Sequence, residues 1–339
     1  MRGVRNGGAV CEPMRGNGMA SATPGSAAPS AVGSRRAAFG ALVLANVLWA
    51  GTYAIGKIAL AEVPPIELNV IRFLLAAILL VPVLYHYRRQ IPRDRRTLFI
   101  LLQLTLLGFV LNKALEYIGL ALSTASDVAL LIATESIFTG LPSWIFLRER
   151  VTRAGVAALT IGLLGVYLIV ERGLTPNLGD GGGTRILGDV LVVLSLLLEA
   201  GYTVRGKVTL TTLPPLLFTA LTITGSLIFW VPAGVVAVAH NGLPQLSLAG
   251  WLAALYLAAI TTVVSYWLWF RGLSVVDASA AAPILFIQPL LGAALAILIL
   301  HDSLTLATVV GAGCIVISLL LVVRGGRRGK IATLAESTP

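Results

Sequence analysis

The sequence predicts an all-α integral membrane protein with ten transmembrane helices, arranged as two inverted five-helix repeats. Three observations lead to this fold class: an apolar composition, a series of apolar segments of about 20 residues, and a duplicated sequence pattern. Hydrophobic residues form 57% of the chain and charged residues only 12%, against about a quarter in soluble domains. So few charges cannot cover a water-facing surface, and the chain must therefore lie in lipid.

The apolar segments define the helices in chain order. Only helices or closed barrels satisfy the backbone in lipid, and these segments are too long and too evenly apolar for barrel strands. The double prolines at 64–65 and 214–215 lie in corresponding turns, where a helix has to stop. The predicted spans are 37–61, 66–87, 97–119, 123–147, 151–171, 186–209, 215–239, 248–271, 277–300 and 303–323.

The duplication divides the chain into two halves. Residues 114–170 align without a gap with residues 267–323, and residues 49–68 align with residues 199–218. The glycine-rich segment around 179–183 joins the halves. The predicted organisation is a disordered tail at 1–36, a first repeat at 37–171, a flexible linker at 172–185, a second repeat at 186–323 and a basic cytoplasmic tail at 324–339.

The positions of arginine and lysine predict the orientation. Arginines precede the first helix, fill the loop at 88–96, lie at the turn near 148–153 and follow the last helix. Because cytoplasmic loops carry the excess of positive charge, both termini are predicted to face the cytoplasm of a bacterial inner membrane. Each half has five helices, so the second enters the membrane upside down, as in secondary transporters.

Other function classes find little support. The net charge of +10 is confined to tails and hairpins, which argues against nucleic-acid binding. Cys11 lies in a polar tail and Cys314 in an apolar segment, and the three histidines are scattered, so neither a disulfide nor a metal site is expected. No nucleophile–base pattern stands out. We therefore do not expect the protein to be an enzyme or to bind a cofactor. We expect it to be a monomer or a homodimer in the lipid bilayer.

Two acidic residues at membrane depth are the first candidates for a solute site. Glu135 lies in the middle of the fourth predicted helix, opposite Gln288 in the repeat alignment, and Glu199 lies in the middle of the sixth. A charge at this depth is costly and usually serves function. Glu135 is expected to carry a proton or to contact an amino group. The alternative is a neutral glutamic acid hydrogen-bonded between helices.

Aromatic and amide side chains near the same depth complete the predicted site. Aromatic rings can line a cavity by stacking and cation–π contact, or they can face lipid headgroups. The candidates added to Glu135, Glu199 and Gln288 are Asn112, Trp49, Tyr53, Tyr202, Tyr266 and Trp269.

The other charged residues of the predicted spans are interpreted as structural. Lys113 and Glu116 are interpreted as a pair at the rim of the membrane, and Arg72 as a partner of Glu67.

Two segments match the spacing of a phosphate-binding loop, at 51–57 (GTYAIGK) and 201–207 (GYTVRGK). Such a loop needs a following Ser or Thr and a preceding strand. Ile58 and Val208 follow here, inside membrane-length apolar segments. We therefore expect these glycines to permit close helix packing, not nucleotide binding.

With these features, the sequence resembles the drug/metabolite transporter superfamily, in its EamA-like branch. The resemblance covers about residues 37–323 and depends on the duplicated unit, the phrase FLRERVTRAGVAALTIGLLGVYLIV and its second copy FIQPLLGAALAILILHDSLTLATVVGAGCIVISLLLVV. It implies ten helices, alternating access, and a central cavity between the halves. The matching positions that would line this cavity are Trp49, Asn112, Glu135, Tyr266 and Gln288.

The resemblance has departures that bear on the substrate. Ser136 stands where many members have proline, and the first helix lacks the glutamate of small multidrug-resistance relatives. The expected function is secondary transport of a small metabolite or amino acid, in the export direction and coupled to protons through Glu135. The alternatives are an uncoupled facilitative carrier, a multidrug exporter, a membrane enzyme or lipid scramblase, and a non-transporting scaffold.

Overall fold

The computed structural model describes residues 31–135, 138, 153–171, 182–276, 284–285, 287–301, 304–318 and 320–321. All regular secondary structure in these ranges is helical. In chain order the α-helices are α1 (Ala31–Ala50), α2 (Thr52–Leu60), α3 (Pro65–His86), α4 (Arg95–Thr105), α5 (Asn112–Leu122), α6 (Ala125–Leu131), α7 (Arg153–Glu171), α8 (Gly182–Thr209), α9 (Pro215–Gly225), α10 (Leu227–Asn241), α11 (Leu248–Leu255), α12 (Ser265–Leu273), α13 (Ile287–Leu300) and α14 (Leu306–Ser318).

Six membrane-length helical segments confirm the predicted class of the chain. Several of them join two α-helices end to end. They are Arg36–Leu60, Pro65–His86, Arg95–Leu122, Gly183–Thr209, Pro215–Asn241 and Leu248–Leu273. The other four predicted spans lie partly outside the described residues, which include only α6, α7, α13 and α14 there. The total of ten spans and their inverted arrangement therefore stay predictions.

The surface of these helices is apolar. Large hydrophobic side chains are exposed along them, with fractions of 65% for Ile78, 66% for Val235 and 72% for Leu298. Water would oppose so much exposed apolar surface, whereas lipid tails accept it.

The N-terminal helix begins earlier than predicted. Residues 31–36 were expected to belong to a disordered tail, but α1 begins at Ala31. The rest of the predicted tail, most of the predicted linker and the C-terminal tail lie outside the described residues.

Prolines and polar caps fix where several helices begin. Pro65 and Pro215 occupy the first turn of α3 and α9, where a missing backbone N–H costs nothing. The Asp94 carboxylate accepts a hydrogen bond from the Thr97 amide at the start of α4. Hydrogen bonds from the side chain and backbone of Ser247 lower the pKa of the Glu62 carboxyl below its ordinary value. This contact joins the turn after α2 to the start of α11.

Two segments of wider π-helix interrupt long spans. Leu106–Leu111 connects α4 to α5, and Tyr256–Val264 connects α11 to α12. Extending the 153-residue offset of the repeat toward the N-terminus places residues 106–111 opposite residues 259–264, within the second segment. In the second segment the hydroxyls of Thr261 and Thr262 both donate to the Leu257 carbonyl at 2.7 Å. π-helical turns are frequent at functional sites.

Helices of the two predicted halves pack directly against each other. α5 packs along α8, α1 along α12, and α3 against α9 and α10. At the first of these crossings the backbones touch, since a Cβ atom built on Gly119 would lie 2.6 Å from the Gly188 carbonyl oxygen. Gly272 is its repeat counterpart. A Cβ atom built there would lie 2.4 Å from the Leu42 side chain and 3.1 Å from the Ala38 carbonyl oxygen. Small residues permit this approach.

The two GxxxxGK segments lie inside helical spans, as expected. A Cβ atom on Gly51 would lie 2.6 Å from the Tyr256 hydroxyl, and one on Gly56 would lie 3.0 Å from Leu120. In the second segment, Gly206 faces Phe218 and Phe270 at 3.3 Å, whereas Gly201 has open space around it. The packing interpretation is therefore confirmed for three of these four glycines.

A buried polar cluster joins the ends of α5, α6 and α8. The Arg185 guanidinium lies 2.9 Å from the Asp189 carboxylate and 3.6 Å from that of Asp127. The Ser123 hydroxyl donates to the second oxygen of Asp189. Asp127 and Asp189 have no exposed surface. This cluster fixes the helix ends next to the Gly119–Gly188 crossing.

Candidate solute-binding chamber

A small chamber lies inside the bundle, lined by side chains from both predicted halves. Its free space is about 40 Å³, enough for about three water molecules. The lining residues are Trp49, Thr52, Tyr53, Arg72, Asn112, Lys113, Glu116, Ile132, Glu135, Leu196, Glu199, Tyr266, Trp269, Leu285 and Gln288. An amino-acid-sized solute needs more room than this, so we expect the residues around the chamber to move when one binds.

Eight of the nine predicted site residues lie in this lining. Glu135 follows a short 3₁₀ turn, Ile132–Thr134, which continues α6. Its repeat counterpart Gln288 is in α13, which packs against α6, and its side-chain amide donates to the Tyr53 hydroxyl at 3.4 Å. Equivalent positions of the two repeats therefore meet at one chamber.

The ninth predicted residue, Tyr202, lies outside this lining. It is fully buried and does not line the chamber. Its ring contacts those of Phe109 at 5.2 Å, Phe218 at 6.0 Å and Phe270 at 5.5 Å between centroids. Three residues along a helix rotate a side chain by about 300°, so Tyr202 lies beside the face of Glu199 and packs against neighbouring helices.

An ion-paired network crosses the chamber between α5 and α8. The Lys113 ammonium lies 2.5 Å from the Glu116 carboxylate and 3.5 Å from that of Glu199. The Tyr266 hydroxyl donates to Glu199 at 3.2 Å. The sequence predicted the contact between Lys113 and Glu116, but at the membrane rim and without Glu199. The side chains of all three ionic residues are at most 12% exposed.

The helix boundary explains why this network was missed as a site. The third span was predicted to end at residue 119, which would place Glu116 one turn from the surface. Helix α5 continues to Leu122, so Glu116 lies six residues, or about 9 Å, from the helix end. The i,i+3 spacing of Lys113 and Glu116 was the available signal.

Aromatic rings form one wall of the chamber. The Trp49 indole N–H donates to the Thr261 carbonyl at 2.8 Å, which fixes its ring. The centroid of that ring lies 5.1 Å from Tyr266 and 5.8 Å from Trp269. The wall therefore presents rigid rings next to the carboxylate of Glu199, an arrangement suited to an organic cation or ammonium group.

Arg72 was predicted to pair with Glu67, and this prediction is wrong. Residues five apart on a helix lie about 140° apart around its axis, so the two side chains leave different faces. The Glu67 carboxylate accepts instead from the Asn241 amide at 2.7 Å. Arg72 lines the chamber, and its Nε donates to the Thr262 hydroxyl at 2.6 Å.

Three polar atoms of the lining residues have no hydrogen-bond partner within the described part of the chain: Arg72 Nη1, Asn112 Oδ1 and Thr52 Oγ1. The amide nitrogen of Asn112 donates to the Ser195 carbonyl at 2.7 Å, so its orientation is fixed. Buried polar groups usually find partners, and these three can bind water or a solute. The described residues contain no group of three or more potential metal ligands.

The family of the chain follows from comparison with known proteins. The model of the EamA-like transporter family matches residues 37–171 and again residues 186–324. The chain belongs to the EamA-like transporter family. As an EamA-like protein it is a multi-pass membrane transporter, in agreement with the apolar helices and the buried polar chamber.

Relatives of this EamA-like chain carry transporter names. An uncharacterized transporter of Archaeoglobus fulgidus is 29% identical over 80% of the chain and 91% of the relative. The uncharacterized transporter YetK of Bacillus subtilis is 21% identical over 82% of the chain and 84% of the relative. An S-adenosylmethionine/S-adenosylhomocysteine transporter of Chlamydia trachomatis is 24% identical, over only 47% of the chain and 49% of the relative. A solved crystal structure superposes with a TM-score of 0.61 over 87% of the chain and 99% of that structure at 17% identity, which shows a shared fold.

Proposed function

We propose that the protein exports a small metabolite or amino acid across the bacterial inner membrane by alternating access. The observation that carries this proposal is one buried chamber whose charged residues come from both halves of the chain. Lys113, Glu116 and Glu135 belong to the first half, and Glu199 to the second. Relative movement of the halves would change the surroundings of every one of these charges.

Glu135 is proposed as the residue that binds a proton or the amino group of the solute. It lines the chamber beside the partly exposed Glu199, so two carboxylates share one small space. Two carboxylates held close together away from bulk water repel each other. This repulsion favours protonation of one of them or binding of a cation between them. Both outcomes couple the charge of the site to solute occupancy.

The substrate class is supported by chemistry and by one relative. S-adenosylmethionine and S-adenosylhomocysteine, named for the chlamydial relative, both contain an amino-acid group. The common L-amino acids and S-adenosylhomocysteine therefore form the first panel for a thermal-shift screen of the purified protein. A ligand that binds only the folded form raises the midpoint of unfolding.

Glu135→Gln tests the proposed role of Glu135. We expect counterflow of the best ligand in proteoliposomes to fall by about tenfold or more, since a charged hydrogen bond is lost, and its pH dependence to disappear. Glu62→Gln is the matched control, because Glu62 lies in a turn outside the chamber. Unchanged and equally pH-sensitive counterflow in Glu135→Gln would remove Glu135 from the mechanism.

The runner-up is a facilitative carrier without ion coupling. An imposed pH gradient should drive accumulation of the solute if protons are coupled to it. If the gradient fails to do so while counterflow continues, the carrier is uncoupled.

The proposed orientation places both termini in the cytoplasm. The basic turn at 148–153 and the basic segment that follows the last helix lie on the same side. A background with Cys11→Ser and Cys314→Ser allows single cysteines to be introduced as Arg153→Cys or Arg324→Cys. We expect a membrane-impermeant thiol reagent, applied to intact cells, to leave both positions unlabelled and to label both after permeabilisation. Labelling on opposite sides would contradict the inverted topology and the transport proposal built on it.

A further inference from the structure

The guanidinium of Arg72 lies deep in the membrane-spanning bundle and faces the chamber. Its side chain leaves α3 seven residues, or about 10 Å, after the helix start at Pro65. Only 2% of the residue is exposed. Nε donates to Thr262 at 2.6 Å and Nη2 to Thr261 at 3.3 Å, whereas Nη1 has no hydrogen-bond partner among the described residues.

The side chains in direct contact with this guanidinium are neutral. Across the described ranges, no carboxylate oxygen lies within 4.0 Å of it, and the ion pairs of the chamber belong to Lys113. The rings of Tyr117 and Phe73 lie 5.0 and 5.5 Å from its Cζ atom. Hydroxyls and ring faces hold the guanidinium in place, but they do not neutralise it. A buried charge without a counterion is costly, and such charges usually have a functional partner.

The rest of the chamber has the opposite charge. Glu116, Glu135 and Glu199 supply three carboxylates, and one lysine, Lys113, contacts two of them. Among the described lining residues, the chamber therefore combines the guanidinium of Arg72 with an excess of carboxylates over ammonium groups. Rigid aromatic rings lie beside the carboxylates. A solute complementary to both kinds of group carries one anionic and one cationic group.

We propose that Arg72 is the anion-binding residue of the chamber, and that it binds the carboxylate of a zwitterionic, amino-acid-type solute whose ammonium group contacts Glu135 and Glu199. The inference rests on the proposed transport function. A carboxylate would supply the missing partner of Nη1 and the missing negative charge in one charge-assisted contact.

The competing interpretation is that Arg72 only ties α3 to the π-helical segment around Thr261 and Thr262. That role explains Nε and Nη2, but it leaves Nη1 and the uncompensated charge without a purpose. The two interpretations predict different ligand preferences, so they can be separated by measurement.

The first experiment compares three forms of each common L-amino acid on the purified full-length protein by calorimetry. They are the amino acid, its amide, which lacks the carboxylate, and its deaminated acid, which lacks the ammonium group. We expect the amino acid to bind about tenfold or more tightly than its amide or its deaminated acid, because each of these analogues loses one charged contact. Equal affinity of the amino acid and its amide, or binding by none of the amino acids, would overturn the proposal.

The second experiment asks whether Arg72 is the source of that preference. In Arg72→Met, amino acid and amide should bind about equally, whereas Arg72→Lys should keep part of the preference because it keeps the charge. Arg185→Met is the matched control: it removes a partly buried, ion-paired arginine outside the chamber, so it should lower thermal stability and leave the preference intact. A purely structural Arg72 would give the same preference in Arg72→Met as in the wild type. If Arg72→Met does not fold, the test is whether the preference for the amino acid over its amide is weaker in Arg72→Lys than in the wild type.

Failure of this inference is distinguishable from failure of the transport proposal. Counterflow of an amino acid with an unchanged preference in the Arg72 variants would refute the inference and leave transport standing. Binding with the expected preference, but without counterflow in proteoliposomes, would refute transport and leave the anion site standing.

Discussion

Lys113→Met is expected to destabilise the protein by about 3–5 kcal/mol, the typical cost of removing one partner of a buried ion pair. Lys113 contacts Glu116 at 2.5 Å and Glu199 at 3.5 Å, so the substitution leaves two carboxylates without their cation. Methionine has similar length and preserves most of the packing. The expected result is a lower midpoint of thermal unfolding for the purified protein, followed by tryptophan fluorescence.

The double variant Lys113→Met/Glu116→Gln tests the cause of this loss. Neutralising Glu116 should restore part of the stability, because one buried charge then no longer needs a counterion. Lys207→Met is the control for removing a lysine: Lys207 lies in the last turn of α8 and should change stability by about 0.5 kcal/mol or less. A single variant as stable as the wild type would show that the network contributes little.

Gly119→Ala is expected to destabilise the protein by about 1–3 kcal/mol, the usual cost of overpacking. The new methyl carbon would lie 2.6 Å from the Gly188 carbonyl oxygen and 2.7 Å from a methyl group of Val192. A backbone carbonyl cannot turn aside as a flexible side chain can. Helices α5 and α8 would therefore have to separate next to the chamber.

Gly201→Ala is the matched control for that substitution. Gly201 lies in the interior of α8, and a methyl group there meets nothing within 4 Å. Because alanine favours helix over glycine by up to about 1 kcal/mol, Gly201→Ala should be neutral or stabilising. Both effects can be read from thermal unfolding in the same detergent. Equal behaviour of the two variants would contradict the close approach of α5 to α8.

The sequence was sufficient for the membrane class and for eight of the fifteen lining residues. The class and the acidic candidates follow from the cost of charge in lipid. A charge such as Glu135 or Glu199 inside an apolar segment is visible without coordinates. The double prolines likewise predict where α3 and α9 begin. These features are local, and each follows from a few neighbouring residues.

Features that depend on helix faces and on distant neighbours could not be predicted. The sequence places Tyr202 and Glu199 one turn apart, but only the packing of α8 shows that one faces a ring cluster and the other the chamber. Arg72 looked structural because its partners, Thr261 and Thr262, lie 189 and 190 residues away. The π-helical segment between α4 and α5 also shifts the face on which Lys113 lies, and no simple periodicity predicts it.

The two π-helical segments differ in how firmly their winding is held. The hydroxyls of Thr261 and Thr262 in the second segment, and of Ser265 directly after it, donate to carbonyls that the wide turn exposes. The first, Leu106–Leu111, has no hydroxyl-bearing residue. Rewinding it to α-helical geometry by one residue would rotate α5 by about 100° about its axis and carry Lys113 and Glu116 away from the chamber. A single local change of winding would thus leave Glu199 without its cation, while Arg72, Glu135 and Glu199 keep their places on the other elements of the lining.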